Sequence, residues 1–178
     1  MIKLTQPYPA LLIQHKKERT LVIADLHIGW EIALAQEGVY VPSQTPKLLA
    51  RITELIEAYK PDRLLFLGDV KHTIAKAEPE EWRDIPSFFE TLSKQVKIIE
   101  IIAGNHDGNL EPLLPEALKI HSELGITIGT VGLFHGHAWP PVKIANCGTL
   151  VMGHAHPVVM FRDPIGYRIT RQVWIKLD

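Results

Sequence analysis

The chain has 178 residues, 46% of them apolar and 22% charged, with a net charge of −1. This is ordinary composition for a single domain with a sizeable core, and it excludes a global basic field that would draw in nucleic acid. The lone cysteine, Cys147, excludes an intramolecular disulfide and a cysteine-rich zinc site. The first residues carry no long apolar stretch of signal-peptide type, and no apolar run nears the roughly 18 residues needed to cross a bilayer. A soluble cytoplasmic protein is expected.

In chain order, the basic cluster His15-Lys16-Lys17-Glu18-Arg19 reads as a hairpin tip or loop. Residues 21–24 (Leu-Val-Ile-Ala) form a short aliphatic run that gives way to Asp25-Leu26-His27. Residues 46–59 place Leu48, Leu49, Ile52, Leu55 and Ile56 at spacings of three and four, a helical stripe opened by Pro46 and closed by Pro61. Residues 64–67 (Leu-Leu-Phe-Leu) lead into Gly68-Asp69-Val70-Lys71-His72. The polar stretch 74–86 reads as a surface loop, and 84–95 as a weaker helix with Phe88, Phe89 and Leu92 on one face.

Residues 98–103 precede Gly104-Asn105-His106-Asp107, and 112–118 read as a third helix. Residues 131–134 then precede His135-Gly136-His137, and 149–152 precede Gly153-His154-Ala155-His156. Aliphatic runs this short read as strands buried on both faces. The order implies an α/β domain with a mixed sheet. Ligands of open α/β sheets bind beyond the carboxyl ends of the strands, where all five motifs fall. The arginines Arg162, Arg168 and Arg171, with Lys176, read as edge-strand charges.

Seven of the nine histidines lie in these motifs. Asp, Asn and His make a mixed oxygen and nitrogen donor set without sulfur. That set suits a hydrolytic pair of divalent ions and admits Mn, Fe, Ni or Zn by softness. His15 and His121 fall outside the motifs and read as surface residues. Trp30 and Trp139 each follow a motif; each either lines a cleft and stacks on a nucleobase or covers the edge of the core. Lys71 reads as a phosphate contact or a solvated side chain.

The order D-x-H, G-D, G-N-H-D, H-G-H and G-H-x-H resembles the calcineurin-like metallophosphoesterases. Ala24-Asp25-Leu26-His27-Ile28-Gly29-Trp30-Glu31 and Gly68-Asp69-Val70-Lys71-His72 resemble the small SbcD-related branch of archaea and its bacterial relative PdeM. The resemblance runs from about Leu21 to His156. It implies a four-layer α/β/β/α sandwich with mixed sheets, as one domain over residues 1–178. It also implies a phosphoesterase that uses two divalent ions, Mn first among them.

Carried over by motif, Asp25, His27, Asp69 and His156 would bind the first ion. Asp69, Asn105, His135 and His154 would bind the second, with Asp69 bridging. His154 and His156, two residues apart, would point the same way on an extended segment. His106 would stand outside the metal shell and protonate the leaving oxygen or stabilise the transferring phosphoryl group. Asp107 would orient it, serve the structure or act directly in catalysis. His72 and His137 would touch substrate or pack behind the ligands.

The implied substrate is a phosphodiester: DNA, RNA, or a small or cyclic nucleotide. The larger nucleases of this branch carry a further DNA-gripping domain, so a small diester and a phosphomonoester are rival substrates. A non-catalytic scaffold of the same fold, as in retromer, is the alternative from another class. Its precedent lacks the histidine that His106 supplies here.

Overall fold

The computed structural model describes residues 1–74 and 76–177. Six strands make the main sheet: β1 (Ile2–Leu4), β2 (Leu11–His15), β3 (Glu18–Ile23), β4 (Arg63–Leu67), β5 (Ile98–Ile102) and β6 (Lys119–His121), adjacent in that order. The first three pair antiparallel, with Lys16 and Lys17 at the tip of the β2–β3 hairpin. From β3 to β6 the pairing is parallel.

The aliphatic runs are continuous because both faces of these strands are covered. Leu21, Ile23, Leu64, Phe66, Ile99 and Ile101 pack toward α2 (Thr45–Tyr59) and α3 (Pro79–Ser93), against Ile52, Leu55, Phe88 and Phe89. Val22, Leu65, Leu67 and Ile102 point the other way, onto Ile128, Leu133 and Val151 of a second sheet. Each such side chain, fully buried, contributes about 1.5–3 kcal/mol.

The second sheet holds β7 (Ile126–Ile128), β8 (Val131–Phe134) and β9 (Thr149–Met152), with β7–β8 antiparallel and β8–β9 parallel. A short α4 (Val142–Ala145) lays Ile144 against Gly132 of β8. The layers therefore run helices, sheet, sheet, helix, and the last is a single turn. A hairpin of β10 (Val158–Arg162) and β11 (Arg168–Gln172) follows. A further helix, α1 (Trp30–Gln36), follows the first motif. No helix of the described residues is long and apolar enough to cross a membrane.

Three elements depart from the sequence reading. The helix expected over 84–95 begins at Pro79, inside the stretch read as a loop. A capping box at Glu78 and Glu81, with Pro79 in the first turn, starts it there. The helix expected over 112–118 is only a 3₁₀ turn at Glu111–Leu113. Pro115 forces the preceding Leu114 into an extended conformation, φ −100° and ψ 146°. Finally, His121 is not a surface residue: its side chain is 16% exposed and lies 3.4 Å from Glu100, which also pairs with Arg63.

Candidate active site

The five motifs directly follow β3, β4, β5, β8 and β9, and backbone bonds lock their loops into a circuit. Past the strands, the parallel β3–β4 ladder continues: the N–H groups of Asp25, His27 and Ile28 donate to the carbonyls of Gly68, Asp69 and Val70. The Asp107 carboxylate joins the β4 and β5 loops, accepting from Val70 N and Gly104 N at 2.8 Å each and from Lys71 N at 3.4 Å. Gly153 N donates to His135 O. His154 N donates to both Asp25 oxygens at 2.9 and 3.2 Å. His135 Nδ1 donates to Leu67 O at 2.6 Å, which ties the second sheet to the first.

Close approach is built into the glycines. A Cβ on Gly68 would stand 2.5 Å from His135 Nδ1, and one on Gly104 would collide with the Asp69 carboxylate. The backbone is also bent at the site. Among the described residues, Asp25, His27, Asp69, His154 and His156 all have positive φ, between 44° and 67°. Each costs a non-glycine residue on the order of 1–3 kcal/mol and persists only where surroundings enforce it. His154 and His156 are therefore not on an extended segment. The chain turns between them, with Ala155 N bonded to Gly153 O, and their rings reach different neighbours.

Asp69, 2% exposed, is the hub. On one side, Asp25, His27, Asp69 and His156 offer donor atoms that all lie within 4.8 Å of one another. His27 Nε2 is 3.2 Å from His156 Nε2 and 3.5 Å from Asp69 Oδ2. On the other side, Asp69, His135 and His154 converge equally closely. Asn105 joins them, its Oδ1 being 3.2 Å from His135 Nε2. A third set, His27, His72 and His106, shares His27 with the first.

Burial lowers the His27 pKa to about 4, against the pull of Asp69, so its ring is neutral at pH 7. Burial alone would raise Asp69; bonds from His135 and His106 N–H, with the charge of both rings, hold it well below the usual carboxylate range. Burial would likewise lower His135, but Asp69, the Leu67 carbonyl and Asp25 raise it. Asp25 is raised, chiefly by burial.

This donor set fits divalent ions. His135 spends Nδ1 on a carbonyl, the arrangement that orients a metal-binding imidazole. Its Nε2 then faces two oxygens, while two imidazole nitrogens face each other across the Asp25 side. Lone pairs crowded in this way need protons or cations between them.

His106 lies beside both clusters. Its backbone N–H donates to Asp69 Oδ1 at 2.9 Å, its Nδ1 bonds the His72 carbonyl, and its Nε2 is 4.0 Å from Asp69 Oδ2. His72 lines the main cavity, and its Nδ1 is buried without a hydrogen-bond partner among the described residues. Burial lowers its pKa. His137 stacks near His135 and His154, with ring centroids at 5.2 and 6.2 Å. Burial, with those two rings, lowers it.

Two expectations fail. Lys71 is neither solvated nor facing a substrate. It is fully buried, and its Nζ bonds the carbonyls of Thr73 and Ile74. Trp139 covers no core edge, being 94% exposed, whereas Trp30 lines the main cavity. Sequence reasoning also missed Glu81. This fully buried acid accepts from His72 N and Thr73 N and so fixes the loop whose carbonyl holds His106. The capping-box pattern Glu78-Pro79-Glu80-Glu81 was its available signal.

An α/β/β/α sandwich with Asp, Asn and His donors gathered on the loops at its strand ends has the makings of a metal-dependent hydrolase. The chain belongs to the calcineurin-like phosphoesterases, whose family model matches residues 18–168. Among solved structures it is similar to the nuclease MPE of Pseudomonas putida, at 22% identity and a TM-score of 0.56, over 89% of this chain and 78% of that one. It is also similar to the phosphoesterase Yfce of E. coli, at 22% identity and a TM-score of 0.46, over 81% and 74%. No curated protein matches.

Proposed function

We propose that this chain is a two-metal phosphodiesterase of the SbcD-related branch, and that Mn²⁺ is its working metal. The observation that carries the reading is the sharing of Asp69 between two donor clusters, with Asp25, His27 and His156 on one side and Asn105, His135 and His154 on the other. Two divalent ions bound there would neutralise phosphoryl charge and lower the pKa of a water.

The chain's own residues supply the rest. Among the described residues, Asp25 and Asp69 provide the only carboxylates lining the main cavity. His106 is held by its Nδ1 bond to His72 O, which leaves Nε2 directed at the hub to carry a proton. A histidine so placed suits protonation of a leaving oxygen. Retention of His106 beside the donors argues against a catalytically dead scaffold.

The test uses metal-stripped protein reloaded with Mn²⁺, Mg²⁺, Ni²⁺ or Zn²⁺. It is offered bis(p-nitrophenyl) phosphate, p-nitrophenyl phosphate, cyclic nucleotides, and single- and double-stranded DNA. Faster hydrolysis of the diester than of the monoester is expected. A preference for the monoester would make it a phosphomonoesterase, and no hydrolysis with any metal would end the enzyme reading.

A further inference from the structure

The main cavity, about 660 Å³, does not stop at the donor clusters. It is lined also by Trp30, by Lys47 and Arg51 from the N-terminal half of α2, and by Tyr8 in the β1–β2 loop. Among the described residues, the permanent charges lining it are Asp25, Asp69 and these two cations.

Lys47 sits where a helix gains nothing from a cation. Lys47 lies in the first turn of α2, which contains no acidic residue, and a cation there opposes the helix dipole. Arg51 follows four residues later, so like charges adjoin on one face. Neither forms an ion pair among the described residues; the Arg51 guanidinium instead sits 5.5 Å over the Tyr8 ring. Glu31, which accepts from Gln44 N at 3.0 Å, fixes where this helix begins. A local rule broken, as at Lys47, is expected where a site needs it.

We infer that Lys47 and Arg51 form a second-phosphate subsite, with Trp30 or Tyr8 as the stacking surface between it and the metal-binding end. The substrate is then a nucleic-acid strand carrying a phosphate beyond the scissile diester, rather than an isolated small diester. The inference rests on the phosphodiesterase reading for its direction, but not for its test.

The probes are the dinucleotide TpT, which has one phosphate, and pTpT and TpTp, which have two. With the metal-loaded protein, KM for pTpT or TpTp is expected to lie about tenfold below that for TpT, in line with one or two charge-assisted contacts. The double variant Lys47→Ala/Arg51→Ala should abolish that difference, leave kcat on bis(p-nitrophenyl) phosphate unchanged, and leave Tm unchanged or raised. Lys47→Arg/Arg51→Lys should retain it. Equal KM values for the one- and two-phosphate dinucleotides, or an equal loss on all substrates in the double variant, would overturn the subsite.

A binding arm keeps the two readings separate. Tryptophan quenching of metal-free protein by pTpT and TpTp should give salt-sensitive binding of at least one of them that the double variant loses. A protein that hydrolyses no diester but shows this binding would refute the phosphodiesterase reading alone. One that hydrolyses diesters without it would refute the subsite alone.

Discussion

Asp107→Ala would remove the clamp between the loops that carry Asp69 and Asn105. The Asp107 carboxylate, 7% exposed, accepts 2.8 Å bonds from Val70 N and Gly104 N and a longer one from Lys71 N. Truncation leaves the two close donors buried without partners, at about 1–3 kcal/mol each. Part of that is returned, because burial raises the carboxyl pKa and the ionised group is costly to hold there. A net loss of about 2–4 kcal/mol follows, or roughly 5–15 °C in Tm for a chain of this size. Asp107→Asn, which keeps an acceptor oxygen, should fall between. The assay is thermal unfolding of metal-free protein at pH 7, followed by Mn²⁺ titration of the folded variants. Both variants should bind Mn²⁺ more weakly, since Asp69 and Asn105 each adjoin a clamped amide. An Asp107→Ala protein with wild-type Tm and Mn²⁺ affinity would refute the clamp.

His106→Ala should bind as much Mn²⁺ as wild type while turnover of bis(p-nitrophenyl) phosphate falls by about 10²–10⁴; near-wild-type turnover would remove His106 from the chemistry. Lys71→Met should lower Tm by the equivalent of about 1–3 kcal/mol, because the Thr73 and Ile74 carbonyls lose their donor, with KM little changed; a KM effect without loss of stability would restore a substrate role. The metal-free fold should weaken as pH falls. Unfolded His27 takes up a proton near 6.5 and the folded form only near 4, so its contribution is full above about 6.5 and lost toward 4. His135, raised instead, stabilises below its ordinary value and loses that contribution as pH rises through its folded value. Because Mn²⁺ competes with protons for His135, Mn²⁺ affinity should weaken as pH falls; an affinity that rises as pH falls would refute this.

The strands at 64–67 and 131–134 were legible because both of their faces are covered; 149–152, expected to be buried on both faces, buries only Val151. The α2 stripe was legible because one face meets the core. The first turns of α3 were not, because a capping box and a buried Glu81 start it where apolar periodicity is absent. At the site, the sequence indicated which residues converge at the strand ends, since parallel strands share an edge. It could not convey the left-handed bends at Asp25, His27, Asp69, His154 and His156, which depend on contacts from distant loops. Nor could composition reveal that Lys71 is turned inward while Lys47 and Arg51, far from any motif, line the cavity.

Two ions sharing Asp69 would fix the metal stoichiometry of the protein. Protein saturated with Mn²⁺ and freed of excess should hold two ions per chain, and Asp69→Ala should lose both, together with hydrolysis of bis(p-nitrophenyl) phosphate. A wild-type protein that is fully active with one ion, or an Asp69→Ala variant that keeps two, would contradict it.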